Sequence, residues 1–111
     1  MKKYDIELPM KPNDSLLTVS KVVKEIGWQK KAEETLDEGG WTLVAKTPLT
    51  LASWGEDVIF KGSPAKFGTL IRVKISPNQL YDWGMPRKRF HEFIDRLRTE
   101  APDLKLESVQ R

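Results

Sequence analysis

The sequence contains no cysteine and one histidine among its 111 residues. Without cysteine the chain forms no disulfide, no zinc–thiolate site and no thiol nucleophile. It also lacks an apolar run approaching the ~20 residues of a membrane-spanning helix, and its N-terminal segment lacks the apolar stretch of a secretory signal. Neither glycine-rich nucleotide-binding pattern occurs in it. These absences favour a cytoplasmic domain of bacterial type with no cofactor and no transmembrane segment.

The charged residues are abundant but mixed in sign. Lysine and arginine number 19 against 16 acidic residues, which gives a net charge of +3. This bias is weaker than the clustered basic patch of a nucleic-acid-binding protein, so no nucleic acid is expected as a partner. A chain of this length is expected to form a single domain over residues 1–111. Its core would cover about 3–100, with 101–111 as a tail or a short edge strand.

The spacing of apolar residues predicts both strands and helices. One helix follows the capping residues Asn13-Asp14-Ser15 and ends at Gly27, and a second runs from Pro86 to about Thr99. Five segments of alternating or β-rich composition predict strands: Lys3–Met10, Trp41–Lys46, Leu49–Trp54, Asp57–Lys61 and Gly68–Ser76. Turns are expected at Gly55-Glu56 and over Gly62–Lys66.

The segment Trp28–Leu36 fits two structures. Its apolar residues have helical spacing, and its lysines and glutamates favour a helix. A helix has just ended at Gly27, however, and Asp37-Glu38-Gly39-Gly40 is typical of a turn between strands. An edge strand, whose charges discourage pairing with other sheets, is the preferred interpretation.

These elements predict an α+β fold in the order β-α-(β)-β-β-β-β-α. The strands form an antiparallel meander of about five or six strands, and the C-terminal helix packs across one face of the sheet. The predicted core takes residues from every element: Tyr4, Ile6, Leu8, Val19, Val23, Ile26, Trp41, Leu43, Phe60, Ile71, Val73, Phe90, Ile94 and Leu97.

No group of residues predicts catalysis. His91 lies beside Phe90 on the second helix, and no serine, cysteine or carboxylate motif accompanies it. Glu56 and Asp57 fall in a predicted turn, where both are expected to be solvated rather than held with a shifted pKa. The sequence therefore predicts no catalytic residue, no cofactor site and no metal site.

Three motifs in order support a resemblance, and the middle one is Ile71-Arg72-Val73-Lys74-Ile75-Ser76. Ser53-Trp54-Gly55-Glu56 and the turn Asp82-Trp83-Gly84 before the final helix resemble those of a small family of uncharacterised bacterial domains. The order of elements is also similar to the helix-grip fold of the plant-allergen and steroid-transfer superfamily. That resemblance implies an apolar ligand held between the sheet and the C-terminal helix. The chain departs from larger members because it is short and has one helix after its first strand.

The resemblance and the aromatic residues suggest a first function, the binding of a small apolar molecule without catalysis. The candidate cavity is lined by five apolar residues: Trp41, Phe60, Ile71, Phe90 and Ile94. Trp54 and Trp83, in the two Trp-Gly turns, are expected to lie close together at its mouth.

The alternative function is a structural or interaction domain with a filled core. Such a domain would bind a protein partner or an anionic surface through its basic C-terminal helix. The candidate residues for that basic face are Arg87, Lys88 and Arg96. The size of any internal cavity distinguishes the two functions.

Overall fold

The computed structural model describes residues 2–50, 54–77 and 84–109. It contains six strands and two helices in these ranges: β1 Lys2–Leu8, α1 Pro12–Glu25, β2 Gln29–Thr35, β3 Trp41–Lys46, β4 Glu56–Ala65, β5 Gly68–Pro77, α2 Met85–Glu100 and β6 Lys105–Val109. The strands form one sheet in the order β2-β3-β4-β5-β1-β6, and every neighbouring pair is antiparallel. The predicted α+β class and the meander from β2 to β5 are therefore confirmed.

Both helices cover one face of the sheet, which we call the inner face. Along β1, β3, β4 and β5, buried residues alternate with more exposed ones. The apolar residues among the buried ones form a single cluster with the apolar residues of α1 and α2. This cluster contains the whole predicted core except Ile26, which is partly buried against it. The other face of the sheet, the outer face, is not covered by either helix.

The first helix begins earlier than the capping residues predicted. Lys11 is its N-cap residue and Pro12 occupies the first turn, because the fixed φ of proline suits that position and its missing N–H is not needed there. The predicted cap at Asn13–Ser15 is therefore wrong. Ser15 is buried instead, and its hydroxyl donates to the Pro12 carbonyl oxygen at 2.7 Å. Gly27 follows the helix with φ of +82°, as its predicted position requires.

Segment Gln29–Thr35 is a strand at one edge of the sheet, so the preferred interpretation of this region is confirmed. All seven residues are exposed. The register with β3 shifts between Lys30 and Ala32, which is an irregularity of the β-bulge type. Bulges and charged side chains at a sheet edge both discourage pairing with other strands.

Strand β4 is longer than predicted. It continues through the expected Gly62–Lys66 turn to Ala65, and the chain turns at Lys66 and Phe67. Gly62 pairs with Trp41 of β3 and Ile71 of β5, and its lack of a side chain leaves room for the Trp41 indole, with which a Cβ would collide. The last residue of β4 to pair with β3 is Gly62, so Pro64 lies where β4 has one neighbouring strand and a missing N–H is tolerated.

The remaining boundaries also differ in part from the prediction. Leu49 and Thr50 do not lie in a strand, and residues 51–53 of the predicted Leu49–Trp54 strand lie outside the described residues. Lys105–Val109 pairs with β1 and forms an edge strand of the sheet. Among the described residues, no helix is long and apolar enough to cross a membrane.

Candidate functional site

The five residues of the candidate cavity lie together, and all are buried in the core cluster. Their neighbours occupy the space between the sheet and α2. The Phe90 ring stacks on Tyr4 with ring centroids 3.7 Å apart, and the Phe60 ring contacts Phe93 at 4.9 Å. These contacts are those of a packed protein core. Binding of an apolar ligand there stays a prediction, and so does the resemblance to the helix-grip fold.

Of the two tryptophans of the candidate mouth, Trp54 lies among the described residues and Trp83 does not. Trp54 precedes β4 and is 68% exposed. Trp83 and the rest of the Asp82-Trp83 turn lie outside the described residues, and the expected proximity of the two side chains lies outside them too.

The candidate basic face lies on exposed positions of α2, but its cations differ in their surroundings. Arg87 and Lys88 are exposed in the first turn. Arg96 reaches α1, where its guanidinium donates to the Glu25 carboxylate at 3.0 Å. That hydrogen bond holds the pKa of Glu25 below its ordinary value and raises the pKa of Arg96. Arg96 therefore links the two helices, and His91 is exposed on the same helix.

Glu56 is fully buried, so the expectation that it is solvated is wrong. The turn ends at Gly55, whose φ is +91°, and Glu56 is the first residue of β4. It therefore points to the inner face with Val58 and Phe60, in the alternation of the strand. Its neighbour Asp57 points outward and is exposed, as predicted.

The buried Glu56 carboxylate forms an ion pair with Arg89 of α2. The Arg89 Nε donates to Glu56 Oε1 at 2.7 Å, and the Thr47 hydroxyl donates to the same oxygen at 2.6 Å. The Glu56 backbone N–H donates in turn to the Thr47 hydroxyl at 2.7 Å. Arg89 is 5% exposed, and its guanidinium also donates to the Pro48 carbonyl oxygen at 2.9 Å and to Glu92 at 3.3 Å.

This buried cluster fastens the start of α2 to the β3–β4 connection. Thr47 and Pro48 line an open groove of about 370 Å³ with Lys46 and Leu49, but Glu56 and Arg89 do not line it. The charged groups are thus directed at each other rather than at that groove. Such a pair is costly to break because it leaves one buried charge without its counter-ion. Its geometry indicates a structural role.

The sequence predicted a solvated Glu56 and did not identify Arg89 as its partner. Two patterns could have identified the pair. Glu56 continues the alternation of the buried residues of β4, and Arg89 lies at helical spacing with the stripe that contains Phe93 and Leu97. A charged residue inside an apolar stripe requires a buried partner.

The outer face of the sheet is rich in positive charge. On the four central strands β3, β4, β5 and β1, five basic residues occupy outward positions against the three acidic residues Asp5, Glu7 and Asp57. The five basic residues are Lys3, Lys46, Lys61, Arg72 and Lys74. We call this set the basic sheet face.

Acidic residues offset only part of this charge. Lys46 lies directly opposite Asp57, and the Arg72 Nε donates to Asp5 Oδ1 at 3.0 Å. The Asp5 carboxylate raises the pKa of Arg72, so this guanidinium stays charged. Within the described part of the chain, no ion pair forms at the other three cations, Lys3, Lys61 and Lys74.

The register of the strands places like charges directly opposite each other in two places. Lys61 of β4 lies opposite Arg72 of β5, and Lys74 of β5 lies opposite Lys3 of β1. Side chains in such positions have Cβ atoms ~4.5–5.5 Å apart, and like charges there destabilise the sheet. Both pairs lie on the outer face, which neither helix covers, and the hydrogen bond from Arg72 to Asp5 offsets part of the repulsion in the first of them.

An open groove of about 340 Å³ adjoins the basic sheet face, and its wall is largely apolar. The β2–β3 turn and outward residues of three neighbouring strands line it, namely Leu36, Thr42, Lys61, Ser63, Leu70 and Arg72, and the inward residues Trp41 and Gly62 border it as well. We call it the corner groove. Its apolar walls are Leu36 and Leu70, and two cations of the basic sheet face stand on its rim.

Comparisons with known proteins do not assign the chain to a family. Neither the scan against protein-family models nor the search of curated proteins found a match. Among the residues that the structure describes, no cluster of three or more histidine, aspartate or glutamate side chains could hold a metal ion. The features that bear on function are therefore the basic sheet face, the corner groove and the packed core.

Proposed function

We propose that this chain is a non-enzymatic interaction domain that binds an anionic partner on its basic sheet face. The observation that carries the proposal is the pair of like-charge contacts, Lys61 with Arg72 and Lys3 with Lys74. Each contact opposes folding, by ~0.2–1 kcal/mol on the scale of cross-strand pairs. A negative partner would convert this repulsion into attraction, because each carboxylate or phosphate would have two cations within reach.

The alternative surface predicted from the sequence, the helix α2, has as many cations without an ion pair among the described residues as the basic sheet face, but they lie at its two ends, Arg87 and Lys88 in the first turn and Arg98 in the last. Arg89 is buried against Glu56, and Arg96 is paired with Glu25. Arg87 and Lys88 remain exposed in the first turn of α2. The basic sheet face has three cations without an acidic partner among the described residues, on an open surface. We therefore prefer the sheet to the helix as the binding surface.

The packed core and the surroundings of the histidine support a function without catalysis. The rings that the sequence suggested as a cavity lining contact other core side chains. His91 is exposed and lines neither of the two grooves described above. We also propose a cytoplasmic location, since a sequence without cysteine suits a reducing compartment.

Binding to a labelled poly-L-glutamate tests the proposal. The sheet variant replaces Lys61 and Lys74 with glutamate, and the control variant replaces Arg87 and Lys88 with glutamate, so both have the same net charge. We expect the sheet variant to bind at least about tenfold more weakly than the wild type at low ionic strength, and the control to bind nearly as well. Salt should weaken the wild-type interaction, because exposed charges are screened.

The reverse order of affinities would move the binding surface to α2. Equal losses in both variants would show that only net charge matters, which would refute a defined site. A thermal melt adds a second readout. Lys61→Glu should raise the melting temperature slightly, because it turns a repulsive pair with Arg72 into an attractive one. Weaker binding together with greater stability is characteristic of a residue kept for function.

A further inference from the structure

We infer, on the basis of the proposed function, that the anionic partner is an acidic polypeptide segment that places an apolar side chain in the corner groove. The groove and the cations form one continuous surface, because Lys61 and Arg72 belong to both. Its volume of about 340 Å³ lies at the lower end of the range for ligand sites, ~300–1,000 Å³. A site that combines apolar walls with a cationic rim suits a ligand that has both an apolar group and carboxylates.

The strand register specifies the spacing of these groups. Leu70, Arg72 and Lys74 are successive outward residues of β5, so they follow one another at ~6.6–6.8 Å. Lys61 lies beside Arg72, and Lys3 lies beside Lys74. The surface therefore presents three rows in order: the apolar groove, a first pair of cations and a second pair of cations.

An extended polypeptide has the same repeat as these rows. Its side chains at positions i, i+2 and i+4 point to one side, again ~6.6–6.8 Å apart. A segment with the pattern apolar-x-acidic-x-acidic would place its apolar residue against Leu36 and Leu70, and its carboxylates over the two pairs of cations. The carboxylate over Lys74 and Lys3 would lie between two cations, and the one over Lys61 and Arg72 would share the Arg72 guanidinium with Asp5, so two acids favour binding over a single acid.

A polypeptide fits this surface better than a nucleic acid. Proteins that bind single strands stack the bases on aromatic side chains. In the described strands β3, β4, β5 and β1, every aromatic residue lies on the inner face, including Tyr4, Trp41 and Phe60. Trp41 also borders the corner groove, but it is 1% exposed and its indole N–H donates to Ser15 in the core, so its ring has no free face on which a base could stack. The outward apolar side chains of the groove are the aliphatic Leu36 and Leu70, which match an aliphatic side chain of a peptide.

Three labelled peptides with matched sequences test the inference by fluorescence anisotropy on the wild-type protein. The first has the core Leu-Ser-Glu-Ser-Glu, the second replaces the leucine with alanine, and the third replaces both glutamates with glutamine. We expect the first peptide to bind about tenfold more tightly than the second, since a leucine side chain gains from burial in the groove. The third should lose most of its affinity.

Two protein variants identify the groove as the source of the leucine effect. Leu70→Ala enlarges the groove from the sheet side and Leu36→Ala from the turn side, and neither changes a charge. In each variant, the ratio between the first two peptides should fall from about ten towards one, while binding of poly-L-glutamate is kept. Leu36 lies outside the strands, so its variant keeps the test valid if Leu70→Ala unfolds.

The outcomes distinguish this inference from the proposed function. If poly-L-glutamate binds the basic sheet face but the leucine adds nothing, the inference is wrong and the proposed function stands. If neither the peptides nor poly-L-glutamate bind, both are wrong. Tighter binding of an oligothymidylate of equal charge would make the partner a nucleic acid and overturn the inference.

Discussion

Removing the charge of Glu56 should destabilise this protein strongly. The carboxylate accepts hydrogen bonds from Arg89 at 2.7 Å and from the Thr47 hydroxyl at 2.6 Å, and it is fully buried. In Glu56→Gln the shape is kept, but the buried guanidinium loses its main counter-ion. Removal of one member of a buried ion pair costs about 3–5 kcal/mol.

The remaining contacts of Arg89 set the magnitude within that range. In the variant its guanidinium would still donate hydrogen bonds to the Pro48 carbonyl oxygen, at 2.9 Å in the wild type, and to Glu92, at 3.3 Å. The Glu92 side chain is 38% exposed, so its attraction is partly screened by water. We therefore expect the lower end of the range, about 3 kcal/mol. With an unfolding entropy of about 2.1 cal/mol/K per residue, this loss corresponds to a fall of roughly 13 °C in melting temperature.

Urea denaturation followed by circular dichroism measures this loss, and a double-mutant cycle assigns it. The cycle combines Glu56→Gln with Arg89→Met, which removes the guanidinium and keeps an apolar stem. The loss in free energy of unfolding in each single variant should be more than half of the loss in the double variant, since either substitution alone already breaks the ion pair. Asp57→Asn is the matched control. Asp57 follows Glu56 in the chain but is exposed, so this substitution should change the free energy of unfolding by less than about 0.5 kcal/mol. Equal effects of Glu56→Gln and Asp57→Asn, or additive losses in the cycle, would refute the buried pair.

Three further predictions concern other contacts of the fold. Gly62→Ala should lower stability by about 1–3 kcal/mol in urea denaturation, although alanine usually suits a strand better than glycine, because its Cβ would collide with the Trp41 indole; a gain in stability would contradict this contact. Ser15→Ala should cost about 1–3 kcal/mol and alter the fluorescence of Trp41, because the indole N–H donates to the Ser15 hydroxyl at 3.0 Å; an unchanged melting temperature would show that the N–H finds another acceptor. Arg96 lowers the pKa of Glu25 in the folded state, so their pair stabilises the fold above the ordinary glutamate pKa of about 4.3. This stabilisation is lost as the pH falls through the lowered pKa. Glu25→Gln should therefore lose less stability than the wild type on acidification, and identical stability–pH profiles would contradict the pairing.

Local patterns were sufficient for most of the secondary structure. The alternation in β3 and β5 and the helical spacing in α1 and α2 identified those elements within a few residues. Each pattern depends on side chains close in sequence, since the repeat of a strand or helix is set by its backbone. The edge strand β2 was found for the same reason, from the turn residues that follow it.

Boundaries failed where a distant residue decided them. Gly62 and Pro64 are typical of a turn, but β4 continues through them because it pairs with β5 as far as Ala65. The strand tolerates both residues, since the Trp41 indole fills the space beside Gly62 and β3 does not extend to Pro64. Nothing in the residues adjacent to Gly62 indicates that indole. The buried state of Glu56 depends in the same way on Arg89, which lies 33 residues away.

The sequence by itself determined that this protein is an α+β domain with an antiparallel meander, and it determined which side chains alternate on each strand. It did not determine where β1 and β6 join the sheet, or in what register any two strands pair. The tertiary structure alone placed Lys61 opposite Arg72, and Lys3 opposite Lys74 across 71 positions of the chain. Side-chain alternation is a local property of the backbone, whereas the meeting of two strands depends on the burial of all their apolar residues at once. For that reason the fold was visible in the sequence, and the basic sheet face was not.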